Sequence, residues 1–262
     1  MTGYQSVFEV LVSLGLGDEQ IVGRTTFSEN GDSVRPGQRQ VYDAIPEISP
    51  EESLPNREAL LALEPDFVIE TYYGGFDAAS GRATVEELAD AGAPAYITGG
   101  WCDPEGVRTG TIAGMFDDIR NLGEIFGVPD RAAELAAEYQ GLLDDVEQRV
   151  EGLEPVEVLA YYGGTGPVNA YGGSGIVDEM IELAGGRNVL TERVATSNPE
   201  ALLVIFGGPG PSAEEKAGTV FALVLDSAAA QDRRFLPVPA VAAHSGSHNI
   251  LAVREIAAFE DA

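Results

Sequence analysis

The chain has 262 residues, 44% of them hydrophobic, with 32 glycines, 15 prolines and one cysteine, Cys102. That length forms one large domain or two ordinary ones and buries a core without staples, while aperiodic glycine and a lone thiol exclude collagen-like and disulfide-scaffold classes. Lys+Arg 15 against Asp+Glu 43 gives a formal net charge of -28, a surface that repels phosphate backbones and anionic membranes, so no nucleic-acid partner is expected.

Residues 7–16 (VFEVLVSLGL) read as a short helix closed by Gly15 or Gly17. Residues 20–23 read as a short strand, and 31–55, rich in Gly, Pro and Ser, as a long irregular surface loop. Helical spacing over 56–63 follows an Asn in N-cap position, Pro65 stops that helix, and 67–72 is a buried strand. Thr84 with Glu87 three residues on gives a capping box opening a helix over 84–92, and 95–98 is the next strand. Helical spacing then fills 111–126 and 130–152, with a break at Pro129 and Asp130 as a cap. After Pro155 the alternation resumes: strand 156–162, helix 175–184, strand 201–206, helix 214–224, strand 235–238 and a closing helix over 249–259. Strand–helix alternation on either side of a purely helical stretch predicts an α/β fold with two lobes, each a mostly parallel sheet flanked by helices.

No apolar run approaches the roughly 18 residues of a membrane span. Residues 1–17 lack the basic n-region and small-residue cleavage site of a signal peptide, so an exported protein of this sequence is expected to be targeted by a segment not present in it.

Recognisable catalytic patterns are scarce. His244 and His248 stand four apart, but Ser245, Gly246 and Ser247 between them favour a loop over a metal-binding helix face, and no metal site is expected. The glycine run 172–175 opens a helix, yet Asp178 occupies the third-glycine place of a dinucleotide fingerprint, and no glycine run leads to GKS or GKT. There is no G-x-S-x-G elbow, and Cys102 has no histidine near it in sequence. Neither an enzyme nor a cofactor is indicated.

The aromatic residues carry more. Tyr72, Tyr73 and Phe76 follow a strand in TYYGGF, Trp101 follows another in TGGW, Tyr161 and Tyr162 end a third in AYYGGTG, and Tyr171 precedes the glycine run. Loops at the carboxyl ends of parallel strands meet at the ligand crevice, where rings provide flat contact area and hydroxyl donors for a bulky ligand. A cleft-forming binding protein is the expectation.

The order of motifs is also familiar. LLALEPDFVI resembles the strand entry of the substrate-binding proteins that serve ABC importers for iron-siderophores and vitamin B12. VSLGLGDEQIVG resembles their opening helix and second strand, ATVEELADAGAPAYIT the next helix–strand unit, NLGEIFGVPDRAAELAAEYQGLLDDV the rigid inter-lobe helix, IELAGGRNV the first long helix of the second lobe, and GSHNILAVREIAAF the closing helix. DAIPEISPE, TYYGGFDAA and FGGPGPSAEEK look most like the iron-siderophore branch.

This resemblance implies an N-terminal lobe over 1–128, an inter-lobe helix over 129–152 and a C-terminal lobe over 153–262. It also implies a monomeric, extracytoplasmic protein, in the periplasm or at the cell surface, that clamps a ferric siderophore between lobes and delivers it to a permease dimer. The family's first strand is missing ahead of residue 1, and the segment 188–192 is shorter than usual. The resemblance gives each lobe an acidic residue for docking on the permease, Glu58 and Glu192. The expected ligand contacts are Arg24, Tyr72, Tyr73, Trp101, Tyr161 and Tyr171, with Arg24 pairing to a negative part of the chelate. The acidic chain favours neutral or cationic ferric hydroxamates over trianionic catecholates, although local charge outranks net charge. The alternatives are cobalamin or haem on the same fold, an α/β enzyme of the doubly wound type, and a non-transporting decoy or scaffold.

Overall fold

The computed structural model describes residues 5–25, 34, 36–49, 53–101, 110–163, 169–189, 198–207, 210–244 and 246–260. The chain divides into two compact units, Met1–Ala136 with His244–Ser247, and Ala137–Ala243 with His248–Ala262. The division falls inside one continuous helix, α6 (Pro129–Val150). That helix takes Pro129 as its first residue, with Asp130 in its first turn instead of capping it; a proline costs nothing at a position whose N–H has no helical acceptor.

Unit 1 opens with α1 (Gln5–Ser13), followed by Gly15 at φ +90. The strand expected at 20–23 is instead the two-residue β1 (Arg24–Thr25), which pairs in parallel with β2 (Glu47–Ser49). The segment expected to be irregular therefore carries β2 and α2 (Arg39–Ala44). Tertiary packing accounts for both: Tyr42 of α2 is buried, its ring edge-on to Phe8 at 5.6 Å, with the Arg24 guanidinium stacked 3.6 Å from the ring centroid. Next come α3 (Arg57–Ala62), β3 (Val68–Tyr72), α4 (Val85–Asp90), β4 (Ala95–Trp101) and α5 (Ile112–Ile125). Asn56 caps α3 by accepting from Ala59 N–H, and Thr84 with Glu87 forms the full capping box of α4. Strands β3 and β4 pair in parallel over a core of Leu54, Leu60, Val68, Phe76, Ala83 and Leu88.

Residues 244–247 complete unit 1 from far along the chain. Ser247 donates its hydroxyl to Glu9 of α1 at 3.3 Å, both residues fully buried. Gly246 lies so close to α1 that a Cβ there would stand 2.7 Å from Ser6 Cβ and 3.1 Å from the Ser6 carbonyl oxygen.

Unit 2 holds a five-stranded sheet. Its central strand is β5 (Val156–Gly163), paired in parallel with β8 (Ala201–Phe206) on one edge. On the other edge β7 (Gly186–Asn188) pairs in parallel with the first half of β5, and β6 (Asn169–Ala170) antiparallel with its end. Strand β9 (Phe235–Pro239) pairs in parallel outside β8. The helices are α7 (Ile176–Leu183), α8 (Ala213–Phe221), α9 (Ala228–Gln231) and α10 (His248–Glu260). Helices α8 and α9 cover Leu159, Tyr161, Leu202 and Val204 with Ala213, Ala217, Val220, Phe221 and Ala229. Ser212 and Glu215 form a second capping box, at the start of α8.

One buried acid stands out in unit 1. Glu70, in the middle of β3, is fully buried; its Oε1 accepts from the Thr71 N–H at 2.7 Å and hydroxyl at 3.4 Å, while Oε2 has no hydrogen-bond partner among the described residues. Desolvation outweighs those bonds and the nearby Arg82 charge, pushing the carboxyl up to about 8 from an ordinary 4.5. Between those values the unfolded chain releases this proton and the folded chain keeps it, so stability falls as pH rises through the window. The isosteric change Glu70→Gln removes that slope. At pH 8 the variant should exceed the parent in unfolding free energy by on the order of 3–5 kcal/mol, with a much smaller gap at pH 5. Urea titrations at both pH values measure it, and an equal difference at the two would contradict a buried neutral Glu70.

Candidate functional site

The carboxyl ends of the parallel strands gather most of the chemistry, unit by unit. In unit 1, Tyr72 at the end of β3 stands in register with Trp101 at the end of β4; the Trp101 side chain lies outside what the structure describes. Tyr72 is half-buried and packs over the following turn, where a Cβ at Gly74 would lie 2.7 Å from its ring. Its burial raises the phenol above the ordinary range. Tyr73 is 40% exposed and opens the 3-10 turn Tyr73–Phe76, which Phe76 anchors in the core. Gly75 is required there: a Cβ would meet Glu70 Cγ at 2.6 Å.

Buried Asp118 of α5 fixes the end of β4. It accepts from the Tyr96 hydroxyl at 2.8 Å and from Gly99 N–H at 2.9 Å, and Asn121 donates to the same hydroxyl at 3.0 Å.

Arg24 is placed differently from the expectation of a ligand contact. It is buried, donating to the Tyr42 carbonyl at 3.1 Å and the Thr25 carbonyl at 3.3 Å, and it stacks on the Tyr42 ring and pairs with Glu47 at 3.5 Å. The guanidinium is occupied inside unit 1, where it joins α2 to β1 and β2.

In unit 2 the two tyrosines ending β5 part company. Tyr161, expected as a ligand contact, is 2% exposed and belongs to the core under α8 and α9; burial raises its phenol too. Tyr162 points the other way, is 46% exposed, and meets the ring of Tyr171 at 5.6 Å, tilted by 53°. Successive residues of a strand face opposite sides, so one step separates core from surface. Asn188 at the end of β7 holds Tyr171 in place, donating to the carbonyls of Tyr171 at 3.0 Å and Gly172 at 3.2 Å.

Topology makes this end of the sheet special. From β5 the chain passes through α7 to β7 on one edge, whereas from β8 it passes through α8 and α9 to β9 on the other. Connections leaving β5 and β8 for opposite edges diverge between the two strands, the switch-point arrangement beside which open α/β sheets bind ligands. Lys216 of α8 reaches this point, donating to the carbonyls of Tyr162 at 3.2 Å and Ile205 at 3.1 Å. Partial burial lowers its amine from the ordinary lysine value. In the sequence Lys216 stands out as a solitary lysine in an arginine chain, just after a strand and at the start of a helix.

Glu58 is exposed in the first turn of α3. Glu192 and Cys102 lie outside the described residues. His244 falls in the segment completing unit 1 and His248 opens α10 in unit 2. Among the described residues no three His, Cys, Asp or Glu side chains gather as metal ligands, and no helix is long and apolar enough to cross a membrane. What the described strand ends offer is ring faces, phenol hydroxyls and one amine, the equipment of non-covalent capture.

Comparison with known proteins places this arrangement. A curated relative, the vitamin B12-binding protein of Vibrio campbellii (strain ATCC BAA-1116), is 25% identical over 156 residues, 55% of this chain; the match spans about half of that relative's length, 51%. Among solved structures, an ABC-type Fe3+-hydroxamate transport system from Saccharomonospora viridis DSM 43017 superposes with a TM-score of 0.77 at 22% identity, over 97% of this chain and 89% of that one. The periplasmic heme-binding protein HutB of Vibrio cholerae superposes with a TM-score of 0.76 at 18% identity, over 99% and 97%. Their shared feature is the two-lobe α/β fold. The family profile described as periplasmic binding protein matches residues 1–204, and the chain therefore belongs to the periplasmic binding protein family.

Proposed function

We propose that this protein is the extracytoplasmic substrate-binding component of an ABC importer and that its ligand is an iron-siderophore complex. The observation that carries the reading is the placing of tyrosines at strand carboxyl ends in each unit: Tyr72 and Tyr73 after β3, and the Tyr162–Tyr171 pair at the switch point beside β5. A metal chelate wrapped in organic ligand presents flat, partly apolar faces and hydrogen-bond acceptors, which rings bearing hydroxyls match. The solved Fe3+-hydroxamate transport protein supports the choice of an iron chelate; the vitamin B12-binding relative and the heme-binding HutB make cobalamin and haem the competing ligands. Each unit contributes its own contacts, and Glu58 with Glu192 supplies the acidic docking points for a permease.

Intrinsic fluorescence tests the reading, because Trp101, the single tryptophan, ends β4 in register with Tyr72. Saturable quenching by a ferric siderophore, and not by cobalamin or haemin, is the expected result. Saturation by only one of the latter two would reassign the ligand. The double substitution Tyr72→Ala and Tyr162→Ala should weaken binding about a hundredfold, and each single change about tenfold. Tyr161→Phe, inside the core, should leave affinity within about twofold.

Docking separates from capture. Glu58→Arg should leave the dissociation constant unchanged while lowering uptake by permease-containing vesicles several-fold, since a reversed rim charge acts on encounter and register. Uptake equal to that of the parent would remove Glu58 from the docking surface.

A further inference from the structure

We propose that Lys216 recognises a carboxylate of the captured ligand, which makes the favoured chelate a carboxylate-bearing one. The proposal deepens the reading above and rests on it.

Lys216 is the only lysine in the chain, the other fourteen basic residues being arginines. Its amine is held by two backbone carbonyls, those of Tyr162 and Ile205, at 3.2 and 3.1 Å. Tyr161 lies opposite Val204 in the β5–β8 ladder, so Tyr162 and Ile205 are the next pair, where the ladder ends. Two of the three ammonium protons are thus spent on fixing the charge at the mouth of the switch point. The third has no acceptor among the described residues, and no carboxylate there pairs with the amine. Neutral carbonyls position a cation without cancelling it. A partly desolvated, unneutralised charge is costly to keep, more so than the neutral amide that would brace two carbonyls equally well. That cost is recovered when an anion arrives.

The amine itself defines which anion. It takes the backbone carbonyl of Tyr162, whose ring turns instead to Tyr171. A compact ammonium point charge with a proton still to give suits a singly charged carboxylate. Net charge points toward neutral or cationic chelates, but the field at this strand end is set by a cation lying within it, and the local field governs binding.

Affinities of the parent, Lys216→Gln and Lys216→Arg test this with three probes: ferric citrate and haemin, which carry carboxylates, and ferrichrome, a neutral trihydroxamate. Glutamine keeps a donor for the carbonyls and arginine keeps the charge. Lys216→Gln should weaken the carboxylate probe that the parent binds by about tenfold or more, leave ferrichrome within about twofold, and be rescued by Lys216→Arg. Equal losses for both probe types would show a structural brace and overturn the proposal. So would no loss, or a parent that binds ferrichrome alone. A folded parent that binds none of the probes, cobalamin included, would overturn the importer reading and this inference with it. An independent measurement needs no variant: amine-selective acylation of the parent, read on the Lys216 peptide, should slow about tenfold under a saturating carboxylate probe. An unchanged rate would place the amine away from the ligand.

Discussion

The parallel pairing of β5 with β8 is the interaction on which unit 2 depends. Four residues of β5, Val158 to Tyr161, are buried together, and the ladder sets them against the equally buried start of β8. This pairing fixes the parity of β5, so that Tyr161 goes under α8 and Tyr162 goes out to Tyr171. It also sets where the β5–β8 ladder stops, and Lys216 takes the carbonyl of the next residue on each strand. Core, aromatic pair and amine are three readings of one register.

Buried polar groups in both units serve to aim strand ends. Asp118 holds β4 at Gly99, Asn188 holds the turn at Tyr171, and Arg24 joins α2 to the β1–β2 pair. Each makes at least one bond to backbone, so it fixes main-chain position. Glu70 differs: it has one free oxygen among the described residues, under a glycine turn that leads directly to the exposed Tyr73 side. A protein with 43 acids keeps this one neutral because no cation lies close enough to outweigh its burial.

Much of the fold was legible because its signals are local. The Thr84–Glu87 box, the Asn56 cap and the apolar strand over 201–206 are set by contiguous residues and appear where the pattern puts them. The strands and helix missed in unit 1 were short: β1 has two residues, β2 three, and α2 six with no side-chain cap. Such pieces hold no period and exist because Tyr42 packs between Phe8 and Arg24, contacts across a separation that a pattern cannot register. The facing of the candidate site's tyrosines was not legible for a related reason. Glycine-bearing aromatic runs mark strand ends, but a strand buried on both faces loses its alternation, so nothing in AYYGG tells which tyrosine faces out.

The closing of unit 1 by residues 244–247 carries a consequence for how the protein is made. Synthesis is vectorial, and the buried partner of Glu9 emerges from the ribosome more than two hundred residues after Glu9 itself. Until then α1 has an open flank where Gly246 and Ser247 belong, with a buried carboxylate lacking its hydroxyl donor. Local helices and the β3–β4 pair form as they appear, but unit 1 is completed by a segment that arrives after the described strands of unit 2 have been made. Through that interval, any chaperone that meets the nascent chain meets a unit 1 with one flank still open.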